Sequence, residues 1–202
     1  MLQIQTIHSD TLSLLKEIMK IPELKAFSLA GGTALALQIG HRISVDLDFF
    51  GQSDLPLSEV NDLISSLGDC QILNQNKAIL TTSIDRIKVD FVKYPYKEIG
   101  TITNVDGIRL YSIPDIAAMK IAAIIGRGTM RDFYDIFFLM EKFKLKELLG
   151  FYHKKFPDGS SFLALKSLVY FDDAEENEPP KLFKNLPWEE VKSRIQKSVR
   201  KI

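Results

Sequence analysis

The chain has 202 residues, enough for one large domain or two unequal lobes, and 46% of them are hydrophobic, with 13 Phe, so a sizeable core is available and a disordered class is excluded. Lys plus Arg equals Asp plus Glu at 26 each, which removes the strong positive field of a general nucleic-acid binder and leaves only local patches for that task. The single Cys70 cannot close an internal disulfide, no run approaches the roughly 18 apolar residues of a membrane span, and the N-terminus lacks a signal-peptide pattern, so a cytoplasmic protein without membrane contact is expected.

In chain order, Leu12, Leu15, Ile18 and Met19 recur at helical spacing over residues 10–20, with Asp10 as N-cap and Pro22 as breaker. Residues 26–30 read as a short strand, closed by Gly31-Gly32 and followed by an Ala- and Leu-rich helix over 33–39 that stops at Gly40. Residues 43–50 alternate, with Ile43, Val45, Leu47 and Phe49 on one face and Ser44, Asp46, Asp48 and Phe50 on the other, which predicts a strand. A helix over 57–67 and strands over 78–84 and 86–93 follow. From Ser112 onward helices are expected at 114–125, 130–143, around 160–170, and at 187–199, with the acidic, proline-ended run 172–180 as a surface loop. The expected organisation is an α/β lobe over 1–111 and a helical lobe over 112–202.

Residues two apart on a strand share a face with Cα atoms about 6.5–7 Å apart, so Asp46 and Asp48 aim two carboxylates at one point. Like charges so close are tolerable when a divalent cation lies between them, and Mg²⁺ favours one or two carboxylates together with phosphate and water. The alternative reading of an isolated D-x-D is the solvated polar face of an edge strand. Asp90, opposite Ile87, Val89 and Phe91 on its own strand, offers a third carboxylate if the two strands are neighbours, and otherwise is a surface acid beside Lys88. Gly31-Gly32 ahead of a helix lets backbone amides approach an anion, and Thr33 either caps that helix or touches a phosphate.

Lys120, among Met119, Ile121, Ala122 and Ala123, must snorkel or meet an anion, either a carboxylate or a nucleotide phosphate. Asp135, followed by Ile136, Phe137 and Phe138, needs a cationic partner, for which Arg131, Arg127 and Lys120 are candidates. Asp132 reads as a helix-start residue after Thr129, Arg42 as a partner of Asp48 or of a phosphate, and His41 as a turn residue. Trp188 reads as an aromatic anchor at a helix start.

Gly31-Gly32-Thr33-Ala34-Leu35-Ala36-Leu37, followed by His41-Arg42-Ile43-Ser44-Val45-Asp46-Leu47-Asp48-Phe49-Phe50, resembles the signature of the AbiEii/AbiGii toxin family of nucleotidyltransferase-like proteins. The resemblance continues through residues 88–91, 114–120, 131–136 and 170–175. It implies a DNA-polymerase-β-like nucleotidyltransferase lobe with a mixed sheet and a helical C-terminal lobe, in toxins of type IV toxin–antitoxin or phage-defence systems. Some members move nucleotides from NTP to RNA. The resemblance matches Ser44 and Asp46 to the S-x-D core, Asp48 to the second acid, Lys120 to a motif lysine and Asp135 to the D-x-x-x-L acid. The interval from Asp115 to Lys120 is shorter than the D-x-six-K form of some members.

Together these readings give an Mg²⁺-dependent nucleotidyltransferase that uses NTP, with RNA or tRNA as acceptor and an antitoxin protein as partner. Asp46, Asp48 and Asp90 would hold the metal, Lys120 and Asp135 would serve the chemistry, and Gly31, Gly32, Thr33, Ser44 and Arg42 would bind the nucleotide. RNA contact would fall on a local patch at Lys142, Lys144, Lys146, Lys154 and Lys155. A non-catalytic binding module of the same fold and a kinase-like phosphotransferase are the alternatives.

Overall fold

The computed structural model describes residues 1–202, which form two compact units. The first comprises residues 1–40, 44–96 and 101–111, and the second residues 41–43, 97–100 and 112–202. The short runs 41–43 and 97–100, which a cut at 111/112 leaves in the first lobe, thus sit with the second unit.

The first unit is built on one seven-stranded mixed sheet. Its strands are β1 (Phe27–Leu29), β2 (Leu47–Gly51), β3 (Cys70–Gln75), β4 (Ile79–Ile84), β5 (Ile87–Lys93), β6 (Thr103–Val105) and β7 (Ile108–Leu110), in the order β3-β4-β5-β2-β1-β7-β6. β2 runs parallel to β5, and β1 parallel to β7, while the other neighbouring pairs are antiparallel. Leu47 and Phe49 point into the core, where the Phe49 and Phe91 rings stack at 4.9 Å and Phe27 meets Phe91 edge-on at 5.3 Å. The opposite face of β2 and β5 carries Asp48, Lys88 and Asp90, with the Phe50–Val92 pair further along. Helices α1 (Ser9–Lys20), α2 (Gly31–Ile39) and α3 (Leu57–Ile64) complete the unit. α1 buries Leu14, Leu15, Ile18 and Met19, as its apolar spacing requires, but starts after His8 rather than Asp10.

Three strands escaped the sequence reading. β3 is an edge strand exposed along most of its length, so it lacks a buried stripe to reveal it. β6 and β7 are three residues each, although the Asp106-Gly107 turn between them, with both φ angles positive, is a readable hairpin signal. The β4–β5 turn is less orthodox. Asp85 and Arg86 take φ values of 48° and 69°, a region that costs a non-glycine residue roughly 1–2 kcal/mol.

β2 is shorter than the predicted 43–50 strand. Ser44 is buried, Val45 is 45% exposed, and the Ser44 amide donates to the Thr6 carbonyl rather than to a sheet neighbour. Residues 44–46 are therefore a lead-in to the strand, and Asp46 sits just before its first residue.

The second unit is helical: α4 (Ile113–Gly126), α5 (Met130–Leu139), α6 (Leu145–Lys155), α7 (Ser161–Leu168), the single turn α8 (Asp172–Glu175) and α9 (Trp188–Val199). The apolar α4 packs against α5, α6 and α7, with Ser112 capping its start through the Asp115 amide. Trp188 stacks on Tyr134 at 5.6 Å and meets Phe133 and Phe171 edge-on, anchoring α9. α6 was not foreseen, and α8 lies within the run expected to be loop. No helix is long and apolar enough to cross a membrane.

Candidate active site

The parallel pairing of β2 with β5 sets Asp48 directly beside Asp90 in register. Adjacent strands lie about 4.8 Å apart, and partners in register present their side chains to the same face. Asp46 enters from the lead-in to β2. Sequence alone gave no warrant for this adjacency, because β5 follows β2 by some forty residues and joins it across a strand-order crossover.

The start of α2 closes over these acids. Gly31 has φ of 63°, and a Cβ on it would stand 2.2 Å from Asp48 Oδ2. Only glycine lets the backbone come this near the carboxylate, and only glycine takes that φ without strain. The helix therefore starts at Gly31, two residues earlier than expected, and its N-terminal amides lie in the positive end of the helix dipole next to Asp48. Thr33 and Ser44 are both buried, with their hydroxyl oxygens 2.9 Å apart, and the Thr33 hydroxyl also bonds the Asp46 carbonyl. This link fixes the segment that carries Asp46 to the first turn of α2.

Lys88 is the cation of the cluster. Its Nζ donates to Asp90 Oδ2 at 2.6 Å. Burial would depress the ammonium pKa, but the Asp90 hydrogen bond and charge, with the charges of Asp48 and Asp46, outweigh it and raise the value. Asp90 Oδ1 is buried and has no hydrogen-bond partner in the chain. A buried carboxylate oxygen without a partner is costly, and it persists where it has a task.

No three His, Cys, Asp or Glu side chains gather into a cage for an ion. The oxygen donors of Asp46, Asp48 and the unpartnered Asp90 Oδ1 are of the kind taken by a hard cation that uses one or two protein carboxylates and fills its remaining positions with water and phosphate oxygens.

Arg42, Lys120 and Asp135 belong to a different set, inside the second unit. Asp135 is fully buried and accepts from Arg42 Nε at 2.7 Å and Nη2 at 3.0 Å, while His41 Nε2 lies 2.7 Å from it and Lys120 Nζ 2.7 Å. Lys120 also contacts Asp132 at 2.8 Å, and Asp132 in turn accepts from the Thr129 hydroxyl at 2.6 Å. Of the outcomes open to Lys120, the anion it meets here is a pair of carboxylates. Asp132 is more than a helix-start residue, and His41 more than a turn residue. Burial works against the Asp135 charge, but Arg42, Lys120 and the His41 and Arg42 hydrogen bonds hold its carboxyl well below the usual range. The Arg42–Asp135 contact spans 93 residues of sequence, so no local pattern announces it.

A second buried pair was also missed. Lys155 Nζ donates to Asp115 Oδ1 at 2.7 Å, and Asp115 accepts from the Ile99 and Gly100 amides at 2.9 Å each. Lys155 is thus a core residue rather than part of a surface patch. Lys142, Lys144, Lys146 and Lys154 are exposed.

Residues 13–192 match the family described as nucleotidyl transferase AbiEii toxin, type IV TA system. An uncharacterized protein of Aquifex aeolicus (strain VF5) is 37% identical over 194 residues, covering 92% of each chain. Among solved structures, JHP933 from Helicobacter pylori aligns at TM-score 0.55 and 17% identity over 96% of this chain and 92% of that one. MenT4, a nucleotidyltransferase toxin from Mycobacterium tuberculosis H37Rv, aligns at TM-score 0.56 and 16% identity over 95% and 84%. At such identities the two structures share the fold with this chain.

Proposed function

The chain belongs to the AbiEii family of nucleotidyl transferase toxins of type IV toxin–antitoxin systems, and from that premise we propose that it moves a nucleotidyl group from NTP to a hydroxyl of RNA at Asp46, Asp48 and Asp90. The observation that carries this reading is the Asp48–Asp90 register on parallel strands, with Gly31 closed over Asp48. The amides at the start of α2 cradle the triphosphate, as helix N-termini do for anions. Thr33 and Ser44 position the segment that bears Asp46.

The acceptor hydroxyl oxygen attacks the α-phosphorus, the bond to the bridging oxygen of the β-phosphate breaks, and pyrophosphate leaves. Asp90 Oδ1 takes the hydroxyl proton, while Lys88 keeps the carboxylate oriented through Oδ2. With no three carboxylates gathered into one cage, Mg²⁺ would be held by Asp46 and Asp48 and would supply charge neutralisation at the phosphates, which leaves Asp90 as the base rather than the third ligand expected from the sequence. Arg42, Lys120 and Asp135 serve by fixing the second unit. The reaction belongs in the cytoplasm, with an antitoxin protein as the partner that restrains it.

Incubating the protein with total RNA, Mg²⁺ and each NTP in turn, labelled at either the α- or the γ-phosphate, tests the proposal. The α-label is expected to enter RNA for at least one NTP, with the γ-label recovered as pyrophosphate. Transfer of the γ-label instead would establish a phosphotransferase, and transfer of neither would favour a binding module.

A further inference from the structure

Beside the acidic centre, the first unit carries a cavity of about 640 Å³, bounded by the first turns of α1, the lead-in to β2 and the β4–β5 turn. Asp46 and Lys88 form part of its wall, so it adjoins the acidic centre along one side. Its volume falls in the range of small-molecule sites, about 300–1,000 Å³.

Three features point to its occupant. Arg86 lines the cavity, is exposed, and makes no hydrogen bond or ion pair within the chain, which leaves a planar guanidinium fork for a phosphate. That arginine stands on the strained turn at φ of 69°, and the turn is pinned: the Asp85 carboxylate accepts from the Asp69 amide at 3.0 Å, and a Cβ on Gly68 would meet Asp85 Oδ2 at 2.4 Å. Strain held in place at the rim of a site is a sign of use. Val45, 45% exposed although apolar, lines the same cavity next to Asp46 and offers a surface for a sugar or base.

Four acids also line the cavity: Asp10 and Glu17 from α1, Asp46, and Asp85 beside Arg86, whose carboxylate is engaged by the Asp69 amide. The charges on α1 oppose a long polyanion track and restrict the phosphate to the side of Arg86 and Lys88.

We propose that this cavity is the acceptor subsite: it receives the terminal nucleotide of an RNA strand, Arg86 holds the last phosphodiester, and the sugar lies over Val45 so that its hydroxyl reaches the Asp46 and Asp90 carboxylates. The inference rests on the nucleotidyl-transfer reading and adds to it the place and manner of acceptor binding. Arg86 is a positioning residue on this view, remote from the triphosphate.

Two measurements test it. In α-label transfer to total RNA, Arg86→Gln should raise the KM for RNA about tenfold, the effect of losing a charge-assisted phosphate contact, and leave the KM for NTP unchanged. Arg86→Gly should do the same while raising thermal stability, because glycine relieves the turn; a merely structural arginine would lose stability and RNA affinity together. Unchanged RNA KM in both variants would overturn the proposal. Independently of turnover, synthetic RNA carrying 4-thiouridine at its 3′ end should photo-crosslink to peptides containing residues 8–17, 45–46 or 85–88. Crosslinks confined to other peptides, or none, would also overturn it. Crosslinks in the cavity without any label transfer would uphold the subsite and sink the enzymatic reading alone.

Discussion

Asp135→Asn is expected to lower folding stability by about 3–5 kcal/mol, the loss seen when one partner of a buried ion pair is removed and the other stays behind. Asp135 is the common anion of Arg42 and Lys120, and both cations are buried. Asparagine preserves the shape and part of the hydrogen bonding but takes from Arg42 and Lys120 the buried charge they share, leaving Lys120 its contact with Asp132. On a total of roughly 5–15 kcal/mol this is a large fraction, equivalent to about 10 °C in Tm. Urea unfolding followed by the fluorescence of Trp188, the single tryptophan, reads the second unit directly; a loss under about 1 kcal/mol would contradict the geometry.

The same carboxyl contributes to the acid limit, together with Asp115 and Asp132, where burial works against the charge but ion pairs and hydrogen bonds also hold the carboxyl below the usual range. The folded-state pKa of Asp135 is depressed, so its contribution is fully present above the unfolded value of about 3.9 and is lost as pH falls through the lower folded value. The Asp135→Asn variant should therefore show a flatter decline of stability below about pH 4 than the parent.

Asp90→Asn should have the opposite profile, with kcat for nucleotidyl transfer down about 10²–10³-fold and stability unchanged or slightly raised. Asp90 shares one sheet face with Asp48, and Lys88 is the cation hydrogen-bonded to it. Removing one negative charge eases their repulsion, and the buried Oδ1 has no internal hydrogen bond to lose. A site retained at a cost to stability is retained for use. Thermal melts and single-turnover rates on the same preparation separate the two effects, and a variant that loses stability while keeping its rate would place Asp90 among structural residues.

The acidic centre was largely legible in the sequence, because strand period and glycine chemistry are local. Alternation singled out Asp48, and the Gly31-Gly32 turn announced a close backbone approach. The Asp48–Asp90 pairing was not legible, since strand order depends on the whole sheet. Lys120 and Asp135 were visible as charges in apolar company, and Lys120 stood among the partners expected for Asp135, whereas Arg42 and His41, more than ninety positions away, did not. Lys155 was mistaken for a surface charge because its basic neighbours in α6 are exposed while it alone turns inward. β3, β6 and β7 eluded the reading because edge strands and three-residue strands bury too little to leave a pattern.

In the proposed reaction the carboxylates at the start of β2 carry nucleotidyl transfer. The most direct measurement compares the parent with Asp46→Asn, matched for folding by circular dichroism, for Mg²⁺-dependent transfer of α-label from NTP to RNA. Labelling by the parent and a fall of at least about 10²-fold in the variant is the expected result, and equal labelling by the two proteins would contradict it.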